Sequence, residues 1–245
     1  MSFNKKLIWS GLGWVMGGPL GAILGYAFAS MNKDSNLSWK QLNPSKSYNP
    51  RTTANDFAMV ILVLFAKVMK ADGKLLKSEL DYIKKFLIKQ FGLHPAREFM
   101  KIFKDILKQD YPVKNVCIQI RRSMDHSSRL EIIHVLFGLS ASDGETHPNE
   151  VSVIRTIANY LNINRNDFES IKAIFSKDDN ASYKILEISD NASDSEVKKA
   201  FRKMANKYHP DKVSHLGKEI QKNAEEKFKA VNDAYQKIKD ARGLK

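Results

Sequence analysis

An imidazole and a carboxylate lie two positions apart near the C-terminus, in the run Tyr208-His209-Pro210-Asp211-Lys212. The side chains of His209 and Asp211 are of the types that act as general acid and base. However, a tight turn before a proline makes a poor substrate pocket. No serine or cysteine nucleophile and no metal-ligand cluster accompanies the pair in the sequence. We therefore predict that the pair is not a catalytic dyad and that the chain is not an enzyme.

Two amphipathic helices are predicted on either side of this turn. Apolar residues recur at helical spacing over residues 197–208, and Ser193 with Glu196 supplies a capping box at the start. Pro210 disfavours a helical conformation at the residue before it, so the first helix should end at about Tyr208. The stripe of the second helix consists of Ala224, Phe228, Val231, Tyr235 and Ile238. The two stripes predict an antiparallel hairpin with the turn at its tip.

A positive strip is predicted on the first of these helices, opposite its apolar stripe. The strip consists of Lys198, Lys199, Arg202, Lys203 and Lys207. Such a strip would speed encounter with an acidic partner and would be weakened by salt. The alternative interpretation is an ordinary solvated helix face.

The ordered set of motifs around the turn resembles a J domain, spanning residues 178–245. The motifs are Ser182 to Ile188, Ser193 to Arg202, His209 to Lys212 and Phe228 to Tyr235. Members of that family stimulate ATP hydrolysis by DnaK-type heat-shock chaperones and bring them clients. The resemblance implies that His209, Pro210 and Asp211 form the contact that signals to the chaperone ATPase. It also implies a basic docking face made of the positive strip together with Lys212.

The composition narrows the possible partners and compartments. A formal net charge of +13 suggests nucleic acid, anionic lipid or an acidic protein surface as a partner. The basic residues are spread along the chain without a zinc-finger or ribonucleoprotein motif, which makes nucleic acid an unlikely partner. The lone Cys117 excludes an internal disulfide framework and a cysteine-rich zinc site. The length of 245 residues leaves room for about two domains beyond a tail.

The N-terminal segment is predicted to be a membrane anchor at residues 1–32. Residues 7–32 hold no charged side chain, and these 26 residues can cross a bilayer once as a helix. Glycines recur every fourth position at Gly13, Gly17, Gly21 and Gly25. On a helix they form a narrow stripe that permits close approach of a second copy, so a homodimer is possible.

Two alternatives to a single span stay open. The run Gly17-Gly18-Pro19 could break the helix into a re-entrant hairpin. The segment also has the three parts of a secretory signal, which are a basic start at Lys5 and Lys6, an apolar run and the small residues of Ala27-Phe28-Ala29. Cleavage would place the J-like region away from any ATP-driven chaperone, so we favour an uncleaved anchor in the cytoplasmic membrane with the C-terminal domains in the cytoplasm. Residues 33–54 are polar and aperiodic and are predicted to be a linker.

Residues 55–177 are predicted to form a bundle of seven short helices without strands. Their predicted ranges are 56–70, 77–91, 95–108, 112–124, 127–141, 148–161 and 165–175. Pro95, Pro112 and Pro148 each suit the first position of a helix, where a missing N–H costs nothing. Together with the anchor and the hairpin, this predicts an all-α chain.

The bundle repeats itself with an offset of 71 residues. Asp72 with Glu79, seven positions later, matches Asp143 with Glu150, and an apolar helix precedes each pair. Four carboxylates from two symmetric loops could bind a divalent cation. The alternative is that each glutamate only stabilises the N-terminus of a helix. His134 lies on an apolar helix and is expected to be a core histidine with its hydrogen bonds satisfied.

The duplication and the all-helical pattern resemble the TerB-like family, named for tellurite resistance. The order of an anchor, a TerB-like bundle and a J domain resembles the DjlA-type membrane-anchored co-chaperones. The resemblance implies a co-chaperone that recruits a DnaK-type chaperone to clients near a membrane and needs no cofactor. The alternative function is a metal- or oxyanion-stress scaffold at the membrane, with the J domain in a recruiting role.

Overall fold

A computed structural model describes residues 18–27, 54–71, 73, 75–144, 146–176 and 181–243. Every regular element in these ranges is helical. The all-α prediction is therefore confirmed for the part of the chain that the structure describes. Within those ranges, no helix combines the length and the apolar character needed to cross a bilayer. The rest of the predicted anchor, residues 1–17 and 28–32, lies outside the described residues.

Eleven α-helices and one 3-10 helix make up the described chain. They are α1 (18–27), α2 (Ala54–Val68), α3 (Lys77–Phe91), α4 (Leu93–Leu107), α5 (Val113–Ser123), α6 (His126–Ser140), α7 (Pro148–Tyr160), α8 (Arg165–Ile174), α9 (Ala181–Ile185), α10 (Asp194–Lys207), the 3-10 helix (Pro210–Leu216) and α11 (Lys218–Ala241). Helices α2 to α8 match the seven that the sequence predicts for the bundle.

Two apolar helices form the centre of the bundle. All residues of α2 from Phe57 to Ala66 are buried, as are all residues of α6 from Leu130 to Phe137. A helix that is apolar on every side must be surrounded by other elements. Accordingly α2 contacts α6 and α7, while α6 contacts α3. The first helix of each related pair, α2 or α6, thus contacts the second helix of the other pair, α7 or α3. This is the pattern expected when two related helix pairs pack together.

The prolines occupy three different positions at helix starts. Pro148 is the first residue of α7, as predicted. Pro112 is instead the N-cap of α5, and Pro95 is the third residue of α4. The prediction that all three lie at the first position is thus wrong for two of them. Any position in the first turn tolerates proline, because the N–H groups there have no intrahelical partner.

Helices α9, α10 and α11 form the C-terminal hairpin domain. Ser193 is the N-cap of α10 and its backbone N–H donates to the Glu196 carboxylate at 2.7 Å, which confirms the capping box. Phe201 of α10 stacks on Tyr235 of α11 with ring centroids 4.3 Å apart. Leu186, just after α9, is fully buried in the same core. The predicted hairpin is therefore present, with the 3-10 helix at its tip.

Helix α1 packs against the bundle. The backbone N–H of Leu20 donates to Gln119 Oε1 at 2.9 Å, and Gln109 Nε2 donates to the carbonyl of Ile23 at 3.2 Å. The side chains of Ile23 and Ala27 are buried by this contact. Part of the apolar N-terminal run is thus covered by protein in this structure.

Candidate functional site

The tip of the hairpin presents His209 on the surface in a fixed orientation. His209 is the N-cap of the 3-10 helix, and its Nδ1 accepts a hydrogen bond from the backbone N–H of Asp211 at 3.3 Å. Its ring meets Phe228 of α11 edge to face, with centroids 6.0 Å apart. Backbone on one side and an aromatic ring on the other hold the imidazole, which is still about half exposed at 49%.

The carboxylate of Asp211 lies 3.6 Å from His209 Nδ1 and is 81% exposed. That separation is too long for a hydrogen bond, so the two groups do not form an acid–base dyad in this structure. Pro210 is the first residue of the 3-10 helix, and the carbonyl of His209 accepts from the backbone N–H of Lys212 at 3.1 Å. The turn therefore orients two separate polar groups toward solvent, an arrangement suited to contact with another protein.

The positive strip lies beside this tip on α10. Lys198, Lys199, Arg202 and Lys203 are exposed, as is Lys212 on the 3-10 helix. Lys203 Nζ contacts Glu187 Oε2 at 3.0 Å, yet its side chain is 64% exposed. The Glu187 carboxylate is buried, at 3% exposed, but most of the Lys203 side chain stays in solvent. Most of the predicted docking face is therefore accessible.

Lys207 is the exception in the strip. Its ammonium group donates to both Asp167 of α8 and Glu187, and only 17% of its side chain is exposed. Asp167 also receives a hydrogen bond from His126 Nε2 at 3.0 Å. Burial alone would raise the pKa of Asp167, but the hydrogen bonds from His126 and Lys207 outweigh it and hold the pKa below its ordinary value. Asp167 is therefore the ionised anion that holds Lys207 against the bundle.

A buried ion pair joins the two domains, and the sequence prediction missed it. Lys227 of α11 donates to Glu131 of α6, and both side chains are buried. Burial lowers the pKa of the Lys227 ammonium and raises the pKa of the Glu131 carboxyl, and the attraction between the two groups opposes both shifts. His134, one turn further along α6, is also buried. Burial and the nearby Lys227 ammonium lower the pKa of His134 well below its ordinary value.

Further polar contacts join the two domains. Gln90 of α3 donates to the carbonyl of Leu216 at 2.8 Å and accepts from the backbone N–H of Glu219 at 2.9 Å. Ser170 of α8 donates to the carbonyl of Ile185 at 2.9 Å. The bundle therefore covers the ends of both α9 and the 3-10 helix.

One signal in the sequence could have revealed the buried lysine. Lys227 lies three residues after Ala224 and four before Val231, within the face of α11 that faces the core. A charged residue in an apolar stripe needs a buried partner of opposite charge. The sequence does not reveal which acidic residue is that partner.

Glu79 and Glu150 stabilise helix starts. The carboxylate of Glu79 accepts from the backbone N–H of Leu76 at 2.9 Å, and that of Glu150 accepts from Ser140 Oγ at 2.7 Å and from the N–H of His147 at 3.3 Å. These contacts stabilise helix N-termini, which is the alternative that the sequence left open. Among the described residues no group of three histidine, cysteine or acidic side chains could hold a metal ion. Asp72 lies outside the described residues and Asp143 lies in a turn, so a metal site stays a prediction.

The predicted glycine stripe is only partly described. Gly25 is buried and Gly21 is half-buried on α1, whereas Gly13 and Gly17 lie outside the described residues. Dimerisation through the stripe stays a prediction.

Comparison with known proteins assigns both domains. Residues 58–173 match the model of the tellurite resistance protein TerB, and residues 181–243 match the DnaJ domain model. Co-chaperone protein DjlA of Coxiella burnetii is 23% identical over 270 residues, and its counterpart in Haemophilus influenzae is 25% identical over 292 residues. Each alignment covers 100% of this chain and of the relative. The chain belongs to the DjlA type of J-domain co-chaperone.

The J domain of this DjlA-type chain has a much closer relative than the bundle. Chaperone protein DnaJ of Fusobacterium nucleatum subsp. polymorphum is 50% identical over 58 residues, which is 24% of this chain and 15% of that protein. No solved structure matches the chain. The tip and the positive strip lie within the residues that match the DnaJ domain model.

Proposed function

We propose that this DjlA-type chain stimulates the ATPase of a DnaK-type chaperone through His209, Pro210 and Asp211. The observation that carries the proposal is the exposed tripeptide, held by Phe228 and the 3-10 helix beside a row of exposed cations. The positive strip attracts an acidic surface over a distance, and the rigid tip then makes the specific contact. Contact with a partner, and not proton transfer to a substrate, is the role that suits two separated surface groups.

The test is His209→Gln in the full chain, with ATP turnover of the purified chaperone as the measurement. We expect stimulation to be lost while the far-ultraviolet circular dichroism is unchanged, because the side chain is half exposed. The matched control is His215→Gln on the same 3-10 helix, which should stimulate normally. Equal stimulation by His209→Gln and the parent chain would reject the proposed mechanism.

We also propose that the N-terminal run anchors the chain in the cytoplasmic membrane, with both domains in the cytoplasm. The uncharged 26-residue run supports this proposal. Anchoring would raise the concentration of the J domain near membrane clients without any new contact. Insertion of the run would require residues 18–27 to leave Gln109 and Gln119.

Membrane fractionation after a carbonate wash tests the anchor. The full chain should sediment with the membrane, and a chain lacking residues 1–31 should stay in the supernatant. A native protein that is soluble and begins at about Ser30 would reject the anchor and favour a cleaved signal.

A further inference from the structure

One cation of the positive strip, the ammonium of Lys207, is bound by the bundle. Asp167 of the bundle binds it at the end of α10 where the strip meets the tip. The other strip cations, Lys198, Lys199 and Arg202, are exposed. An amine held by a buried carboxylate is not free to bind a second acidic surface. While the bundle is docked, one cation of the docking face is therefore not available to an acidic partner.

The interface between the bundle and the J domain combines apolar packing with several polar contacts. Lys227, Glu131, Gln90 and Ser170 all make polar contacts across it, beside buried apolar side chains of both domains. Interfaces between domains of one chain are often of this mixed kind and allow relative motion of the domains.

The buried ion pair is also incompletely satisfied. Glu131 Oε2 and His134 Nδ1 have no hydrogen-bond partner in the part of the chain that the structure describes. A buried polar atom without a partner costs free energy in the docked state and regains water when the domains part. Desolvation therefore offsets part of the attraction between Lys227 and Glu131.

We propose that the TerB-like bundle is a binding surface for the J domain of its own chain and competes there with the chaperone for Lys207. In the docked state the tripeptide is exposed but the positive strip is incomplete. Separation of the domains removes Asp167 from Lys207, which keeps only Glu187 of its own domain as a partner, and uncovers the ends of α9 and the 3-10 helix. This inference rests on the proposed function, because the competing partner is the chaperone.

The test is Glu131→Lys in the full chain, which places two ammonium groups against each other and should separate the domains. Separation is read from amide hydrogen exchange, which should become faster at residues 216–219 once Gln90 has left. The concentration of co-chaperone that gives half-maximal ATPase stimulation should fall about threefold or more, the size of one surface ion pair.

Three further variants serve as controls. Glu169→Lys makes the same charge change on the bundle, at a side chain that pairs with Arg155, and should leave both measurements unchanged. Adding Lys227→Glu to Glu131→Lys restores opposite charges and should return both measurements toward the parent values. Asp167→Asn removes the carboxylate that the bundle presents to Lys207 and leaves the pair with Glu187 in place, so it should lower the half-maximal concentration less, which keeps the test valid if Glu131→Lys unfolds.

The possible outcomes separate this inference from the proposed function. A parent chain that gives no stimulation would reject the proposed function. A parent chain that stimulates, with separated variants whose half-maximal concentration is equal or higher, would overturn the competition alone. Unchanged hydrogen exchange in a folded Glu131→Lys would also overturn it, because the ion pair would then not hold the domains together.

Discussion

At the tip of the hairpin, Asp211 keeps 81% of its side chain in solvent, whereas Lys227 on the following helix is wholly buried against the bundle. Both regions belong to the same small J domain. At the tip, the polar groups stay hydrated, so they contribute little to stability and are available to bind a partner. At the interdomain face, each charge has lost its water and depends on its internal partner. We therefore expect substitutions at the tip to affect activity and substitutions at the face to affect stability.

The largest stability effect is expected for Lys227→Ala. It leaves the Glu131 carboxylate buried without its partner, which should lower the free energy of unfolding by about 3 kcal/mol. Urea unfolding followed by circular dichroism is the measurement. His209→Gln at the tip is the comparison and should change the same quantity by about 1 kcal/mol or less, the size of one lost cap. Losses of similar size at the two positions would contradict the distinction between tip and face.

A smaller effect is expected for Gly217→Ala, between the 3-10 helix and α11. Gly217 has φ +103 and ψ 169, and an added Cβ would lie 1.7 Å from Gln90 Nε2. Gly92→Ala is the matched control, because Gly92 has φ 85 and ψ 172 and its Cβ would meet no described atom within 4 Å.

At both positions the backbone has a conformation that costs any residue other than glycine about 1–3 kcal/mol. Gly217→Ala should lose about 1 kcal/mol more than Gly92→Ala, because it also displaces Gln90 from the interface. Urea unfolding of the two variants measures the difference. Equal losses would show that Gln90 contributes nothing to docking.

A further effect is a pH dependence centred on His134. Burial lowers its folded-state pKa below the usual value of about 6.5, and the ammonium of Lys227 and the ring of Phe175, centred 5.0 Å away, face the imidazole. The unfolded chain then binds a proton that the folded chain does not as the pH falls below about 6.5. The contribution of neutral His134 to the free energy of unfolding is therefore fully present above that pH and is lost as the pH falls below it.

Unfolding at pH 7.5 and pH 5.5 measures this dependence. The parent chain should lose about 1.4 kcal/mol more than His134→Gln over this interval, the value of about one pKa unit. His215→Gln is the control and should lose as much as the parent. An equal loss in His134→Gln and the parent would mean that another group causes the pH dependence.

Local patterns were sufficient to predict most helices and the tip. Each of the seven bundle helices begins within two residues of its predicted start, and α10 ends at Lys207 immediately before the predicted boundary. The reason is that helical periodicity, capping by Ser193 and the effect of Pro210 all act within about four residues. The 3-10 helix at Pro210–Leu216 was missed, because seven residues hold too few apolar positions to show a helical period.

The sequence by itself determined which residues form the tip and which helix bears the positive strip. Only the tertiary structure decided that Lys207 is bound by Asp167, 40 positions away, and Lys227 by Glu131, 96 positions away. A charge pattern shows that a lysine needs a partner, but its choice depends on how the bundle and the hairpin pack. That packing comes from burial of apolar surface across both domains, which no local stretch of sequence specifies.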